Sequence, residues 1–132
     1  MSRHASGWFF VKVVPLRPDD KIGDHGIGRM SLEKQFHRDL EATSKGLMLT
    51  MGDPTTAAWY VAMERVSGTL NGRKGTFVLQ HTGTMSRGVR SLSVTVIPDS
   101  GTEELTGITG KFDLKSELGK HTYDFEYTLP AQ

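Results

Sequence analysis

Glu64 and His81 are the residues whose setting best suits chemistry. Each lies inside a run rich in β-branched and aromatic residues, 59–70 and 76–85, and the two runs flank Asn71-Gly72. Asn-Gly between such runs is the strongest short-range hairpin signal, and Asn71 is the chain's only asparagine. A two-residue turn there sets Ala62 opposite His81 and Glu64 opposite Leu79, so Glu64 and His81 become diagonal neighbours on one face. A three-residue loop would set Glu64 opposite Gln80 instead. The first arrangement is preferred because it gathers Tyr60, Phe77 and Leu79 on the same face. A carboxylate among apolar side chains is a candidate general acid or base, its proton affinity raised by desolvation and tuned by the imidazole. On this reading Glu64 and His81 are the catalytic candidates, with Tyr60 or Tyr123 orienting a substrate. Glu64→Gln should then abolish activity and leave stability nearly unchanged.

These residues need a sheet around them, because two strands alone are not stable in water. Trp8–Val14 is a nearly unbroken apolar strand that Pro15 ends, and its outer side (Trp8, Phe10, Val14) needs a cover, from the loop 15–28 or from another subunit. Residues 29–52 carry two patterns. Leu32, Phe36 and Leu40 recur every fourth residue behind a possible Ser31 cap, which reads as a helix, yet the stretch also alternates. After Met85 come a turn at 86–88, a strand with Leu92, Val94 and Val96 on one face, a turn at 98–102, and a strand over 105–114. The last strand alternates His121, Tyr123, Phe125, Tyr127 and Leu129 with polar residues. About eight strands joined by short turns suggest an all-β, eight-stranded antiparallel up-and-down barrel forming one domain over 1–132, since closure removes the edges.

In such a barrel Phe36, Phe77, Leu79, Tyr60, Tyr123 and Phe125 are the ligand-binding candidates, and the interior holds at most one small ligand. Lys34 joins them if its segment is a strand; its amine is expected to reach the rim rather than pair with Glu64. Arg65 and Gln80 fall on the outer face.

Other chemistries are poorly served. The chain has no cysteine and a net charge of +1 over 132 residues, which removes thiol and sulfur-ligated metal sites and any electrostatic case for nucleic acid or an anionic membrane. Asp19, Asp20, Asp24 and His25 lack metal-site spacing and read as a solvated loop, so no metal or other cofactor is expected. No nucleophile elbow, zinc-protease motif or phosphate loop occurs, and residues 26–31 lack the third glycine of a dinucleotide fingerprint. With no apolar leader or spanning run, a cytoplasmic protein is expected.

Three stretches together, 34–46, 60–85 and 98–110, resemble a bacterial domain-of-unknown-function family, number 3224, whose members look like allene oxide cyclase and dirigent-type barrels. The resemblance covers nearly the whole chain. It implies an eight-stranded, calycin-like barrel with an apolar interior, often oligomeric, and it turns residues 29–52 into two strands meeting near His37-Arg38-Asp39. Arg38 and Glu103 stand where the resemblance implies glycine. It brings no established activity. The expected partners are therefore a small apolar molecule in the barrel and further copies of the chain, as a dimer or trimer. Two functions follow: a proton-transfer enzyme of the isomerase, cyclase or lyase type, or non-catalytic binding or sensing of a hydrophobic ligand. A filled interior would point instead to an assembly role.

Overall fold

A computed structural model describes residues 2–16, 26–53, 56–87 and 89–130. Eight strands follow one another: β1 (Arg3–Leu16), β2 (Gly28–Arg38), β3 (Leu40–Asp53), β4 (Ala57–Leu70), β5 (Arg73–Ser86), β6 (Val89–Val96), β7 (Thr109–Glu117) and β8 (Lys120–Thr128). Each pairs antiparallel with the next, and β8 returns to β1, closing a barrel. Among the described residues the only helix is a single 3-10 turn, Glu103–Leu105.

The helical pattern over 29–52 has a simple resolution. A spacing of four residues is close to one helical turn, but it is also even, so Leu32, Phe36 and Leu40 fall on one face of a strand as readily as on one face of a helix. All three are buried on the barrel's inner side. The two positions where glycine was expected both have left-handed backbone, Arg38 at φ 95° and Glu103 at φ 51°. At Asn71-Gly72 the φ values of 47° and 85° make the two-residue turn, which sets Glu64 opposite Leu79 and Ala62 opposite His81.

Two expected boundaries move. Pro15 does not end β1 but pairs with Met30 inside it. Beyond Phe9, β1 has lost β8 as a neighbour, and an edge tolerates a residue without an N–H. Residues 105–108 are not strand: after the 3-10 turn the chain bends at Gly107 (φ 82°), and Leu105 and Ile108 plug the barrel.

The two ends of the barrel therefore differ. One is closed by Leu40, Leu70, Leu105 and Ile108 under an aromatic stack; there Asn71 donates through Nδ2 to the Tyr127 hydroxyl at 2.7 Å. At the other the described residues leave an opening, and β6 joins β7 through only two register pairs, Val94–Phe112 and Thr95–Lys111, both in the closed half. On the outside, Phe10 of β1 is 61% exposed, and β3 and β4 present a second apolar strip. In it Leu47 faces Met63, Leu49 faces Val61 and Met51 faces Trp59, all six exposed. No helix of the described residues is long and apolar enough to cross a membrane.

Arg38 holds a conformation that only glycine adopts freely, at a cost of about 1–3 kcal/mol for other residues. Arg38→Gly should raise the unfolding free energy by about 1 kcal/mol, read as a higher midpoint in urea. A lower midpoint would show that the Arg38 side chain stabilises the turn more than its backbone strains it.

Candidate functional site

The inward residues of β2 to β5 meet in one polar cluster. Glu64, 1% exposed, is its centre, with Lys34, Ser44 and His81 also buried. Its Oε1 accepts from Lys34 Nζ at 2.9 Å and from His81 Nε2 at 2.5 Å, while Oε2 accepts from the Ser44 hydroxyl at 2.5 Å. Lys34 starts on β2 and reaches across β3 to β4. Gly46 leaves the path open: a Cβ there would meet the Met63 carbonyl and lie 2.7 Å from Glu64 Cα. The Lys34 ammonium also lies 5.2 Å from the Phe9 ring centroid and 5.8 Å from that of Phe36, a further favourable contact for a desolvated cation. The expected excursion of Lys34 to the rim is thus corrected, because an ammonium with a carboxylate at 2.9 Å gains more than one left to snorkel.

The electrostatics of Glu64 also differ from expectation. Burial pushes its carboxyl up, but the His81 hydrogen bond, the Lys34 charge and the Ser44 hydroxyl outweigh it and hold it at about 2, against an ordinary 4.5. At neutral pH Glu64 is an anion whose two oxygens are both occupied, which makes it a weak base. A carboxylate can only accept, so His81 Nε2 carries a proton in either charge state of the ring. Nδ1 is the nitrogen that can gain or lose one. Among the described residues Nδ1 has no hydrogen-bond partner, and no fully enclosed side-chain nitrogen or oxygen lacks one, so Nδ1 opens onto accessible space.

One register step towards the open end, Tyr60 faces Gly83. The Tyr60 ring lies flat in the gap, where a Cβ on Gly83 would be 2.7 Å from Cζ and 2.8 Å from Cδ1. Burial pushes the Tyr60 hydroxyl up; nearby Arg90 pulls it down, and Glu64 raises it. The ring forms part of the lining of a cavity of about 460 Å³ at the open end, with Met30, Met48, Ala58, Trp59 and Arg90 among its other walls.

The other ligand-binding candidates do not line this cavity. Phe36, Phe77, Tyr123 and Phe125 stack on one another and on Phe112 in the closed half; Phe112 and Phe125 are 4.0 Å apart between centroids, and Phe36 meets Tyr123 edge-on at 5.6 Å. Leu79 packs in the same core. The Tyr123 hydroxyl accepts from the Leu40 N–H and donates to the His37 carbonyl, both at 2.9 Å, tying down the β2–β3 turn. Burial is the main cause pushing that hydroxyl up to about 12. Ser44 and Arg90 were not singled out by the sequence. Ser44 faces Lys34 across the β2–β3 turn, and Arg90 shares the parity of Leu92, Val94 and Val96, so register reasoning at those turns would have found both. The Asp19, Asp20, Asp24 and His25 group lies outside the described residues.

The family model described as protein of unknown function (DUF3224) matches residues 5–127. The chain belongs to this family. A crystal structure of a DUF3224 protein of unknown function from Shewanella oneidensis MR-1 is similar over 100% of both chains, at 41% identity and a TM-score of 0.88. A comparison with curated proteins yields no match.

Glu64 titrates at about 2 in the folded protein and near 4.5 when unfolded. The depressed value stabilises the fold above pH 4.5 by about 3 kcal/mol, and this is lost as pH falls through about 2. Glu64→Gln should flatten that part of the pH–stability curve. The small stability effect expected from the sequence is corrected by the buried Lys34 partner: the substitution should cost about 3 kcal/mol or more at neutral pH, because it strands the Lys34 ammonium, and the double variant Glu64→Gln/Lys34→Met should recover most of the loss. Urea unfolding from pH 7 to pH 2 decides it. An unchanged midpoint for Glu64→Gln would remove the ion pair as a source of stability.

Proposed function

We propose that this DUF3224 barrel binds a small, largely apolar molecule in the cavity at its open end. The observation that supports the reading is the cavity itself: about 460 Å³, walled mainly by apolar side chains, with Tyr60, Arg90 and the hydroxyl residues Thr50, Thr84 and Ser91 as polar groups. Small-molecule sites ordinarily have volumes of about 300–1,000 Å³ and combine apolar walls with a few placed polar groups. A neutral dye, N-phenyl-1-naphthylamine, should brighten with the wild type. It should fail to do so with Ala58→Trp, which fills the cavity from its wall, provided the variant keeps its melting temperature. Equal brightening in both would put the dye elsewhere and end this reading.

The unpartnered Nδ1 of His81 favours a second reading, in which the barrel catalyses proton transfer on a ligand that reaches past Tyr60, since His81 lies one register step below the cavity lining. Glu64 then positions the imidazole and holds its tautomer, and His81, not the carboxylate, takes the proton. A suitable probe is 5-nitrobenzisoxazole: a base removes its C3 proton, the N–O bond breaks, and a cyanophenolate leaves. Turnover above the buffer rate that is lost in His81→Asn supports catalysis; turnover at the buffer rate in the wild type leaves binding alone.

Homo-oligomerisation is proposed through the outer strip on β3 and β4. Its three facing pairs are centred on Leu49–Val61, so a two-fold axis there lays Met51 and Trp59 of one copy on Leu47 and Met63 of the other. Six uncharged, exposed side chains side by side exceed the scattered apolar residues of an ordinary surface. Light scattering at micromolar concentration should give a dimer mass for the wild type and a monomer mass for Val61→Lys. A monomeric wild type would overturn the assembly.

A further inference from the structure

The chemical class of the ligand follows from the cavity walls, and this inference rests on the reading of that cavity as a binding site. We propose that the cavity takes an aromatic organic anion, with its ring among the methionines and its charge on Arg90.

Met30, Met48 and Met85 line the cavity from inward-facing positions, together with the Tyr60 ring; Met51 and Trp59 border it only at its rim, with their side chains on the outer strip. Thioethers are polarisable and unbranched, so they close around flat ligands of varied outline, and sulfur contacts at a ring edge are favourable. A lining of branched aliphatics would suit a saturated chain equally well; three methionines beside the Tyr60 ring favour a π-system.

Among the described residues Arg90 is the only charged side chain in the lining, and none of the described lining residues is a carboxylate. Among the described residues its guanidinium makes no ion pair or hydrogen bond, and the Tyr60 hydroxyl has no partner either. The Glu64 carboxylate, which like Arg90 acts on the Tyr60 hydroxyl, is already held by Lys34, His81 and Ser44. An unpaired guanidinium beside apolar walls presents a planar fork of donors that matches a carboxylate or sulfonate, and it repels a cation. Met85 faces Arg90 directly across β5 and β6, so the charged group and the soft wall are adjacent and one ligand can touch both.

Four probes of nearly one shape separate the parts of the proposal in calorimetric titrations at pH 7.5 and low salt: 2-naphthoate, 2-naphthalenemethanol, 2-naphthylmethylammonium and decahydro-2-naphthoate. The naphthoate should bind at least about tenfold tighter than the alcohol, the ammonium weakest, and the saturated acid several-fold weaker than the aromatic one. Arg90→Gln should bring naphthoate to the level of the alcohol and leave the alcohol unchanged. Equal affinities for naphthoate and alcohol, or a preference that survives Arg90→Gln, would overturn the anion while the cavity still stands as a site. A saturated acid that binds as well as naphthoate would overturn the aromatic preference. Should none of the four bind, the cavity is not a ligand site and the inference falls with it.

Discussion

The two-residue turn at Asn71-Gly72 decides which side of β4 and β5 faces inward, and both the core and the polar cluster depend on that parity. Side chains on a strand alternate, so a slip of one residue would turn Glu64, Val66, Phe77, Leu79 and His81 out to solvent together and bring Arg65, Val78 and Gln80 in. The turn is anchored beyond its backbone: the Asn71 N–H donates to the Asp39 carbonyl at 2.8 Å, and its side-chain amide reaches Tyr127. The β4–β5 register is thereby linked to the β2–β3 turn and to β8. Three strand pairs share one constraint at the closed end of the barrel.

Within that frame the polar cluster is a balance of large opposing terms. Removing a carboxylate and an ammonium from water costs several kcal/mol per ion, and attraction repays this only with good geometry and every lone pair used. Glu64 meets that condition through three partners from three strands. The outcome is a fixed anion, and its effect on chemistry is indirect: it leaves His81 with one defined proton and one open nitrogen. An arrangement first legible as a carboxylate base with a helper imidazole becomes an imidazole with a carboxylate support.

Period-two alternation in the sequence reports which face of the sheet a residue joins, but nothing about its height along the barrel axis. That is why the inward positions of β4, β5 and β8 could be read, whereas Phe36, Phe77, Tyr123 and Phe125 could not be told apart from cavity-lining residues. All share a face with Tyr60, yet they lie in the filled half. The Lys34–Glu64 contact was hidden for another reason: it crosses an intervening strand, so it needs two registers and the gap at Gly46 to be known at once. The even spacing of Leu32, Phe36 and Leu40 made β2 and β3 ambiguous, and the left-handed turn at Arg38 is hard to read from an arginine.

Closure is uneven around the barrel. β4 and β5 pair over the whole length of both strands, whereas β6 and β7 meet at two positions only. A ring of strands with one short seam has a preferred line of parting, because separating there breaks the fewest ladder hydrogen bonds. Such a parting would make the cylinder a curled sheet with two unpaired borders, and the aromatic stack would lose one wall while its other strands stayed paired. The molecule is in effect a clasped band, and the clasp lies beside Val94 and Phe112, where the core meets the strand that carries Arg90.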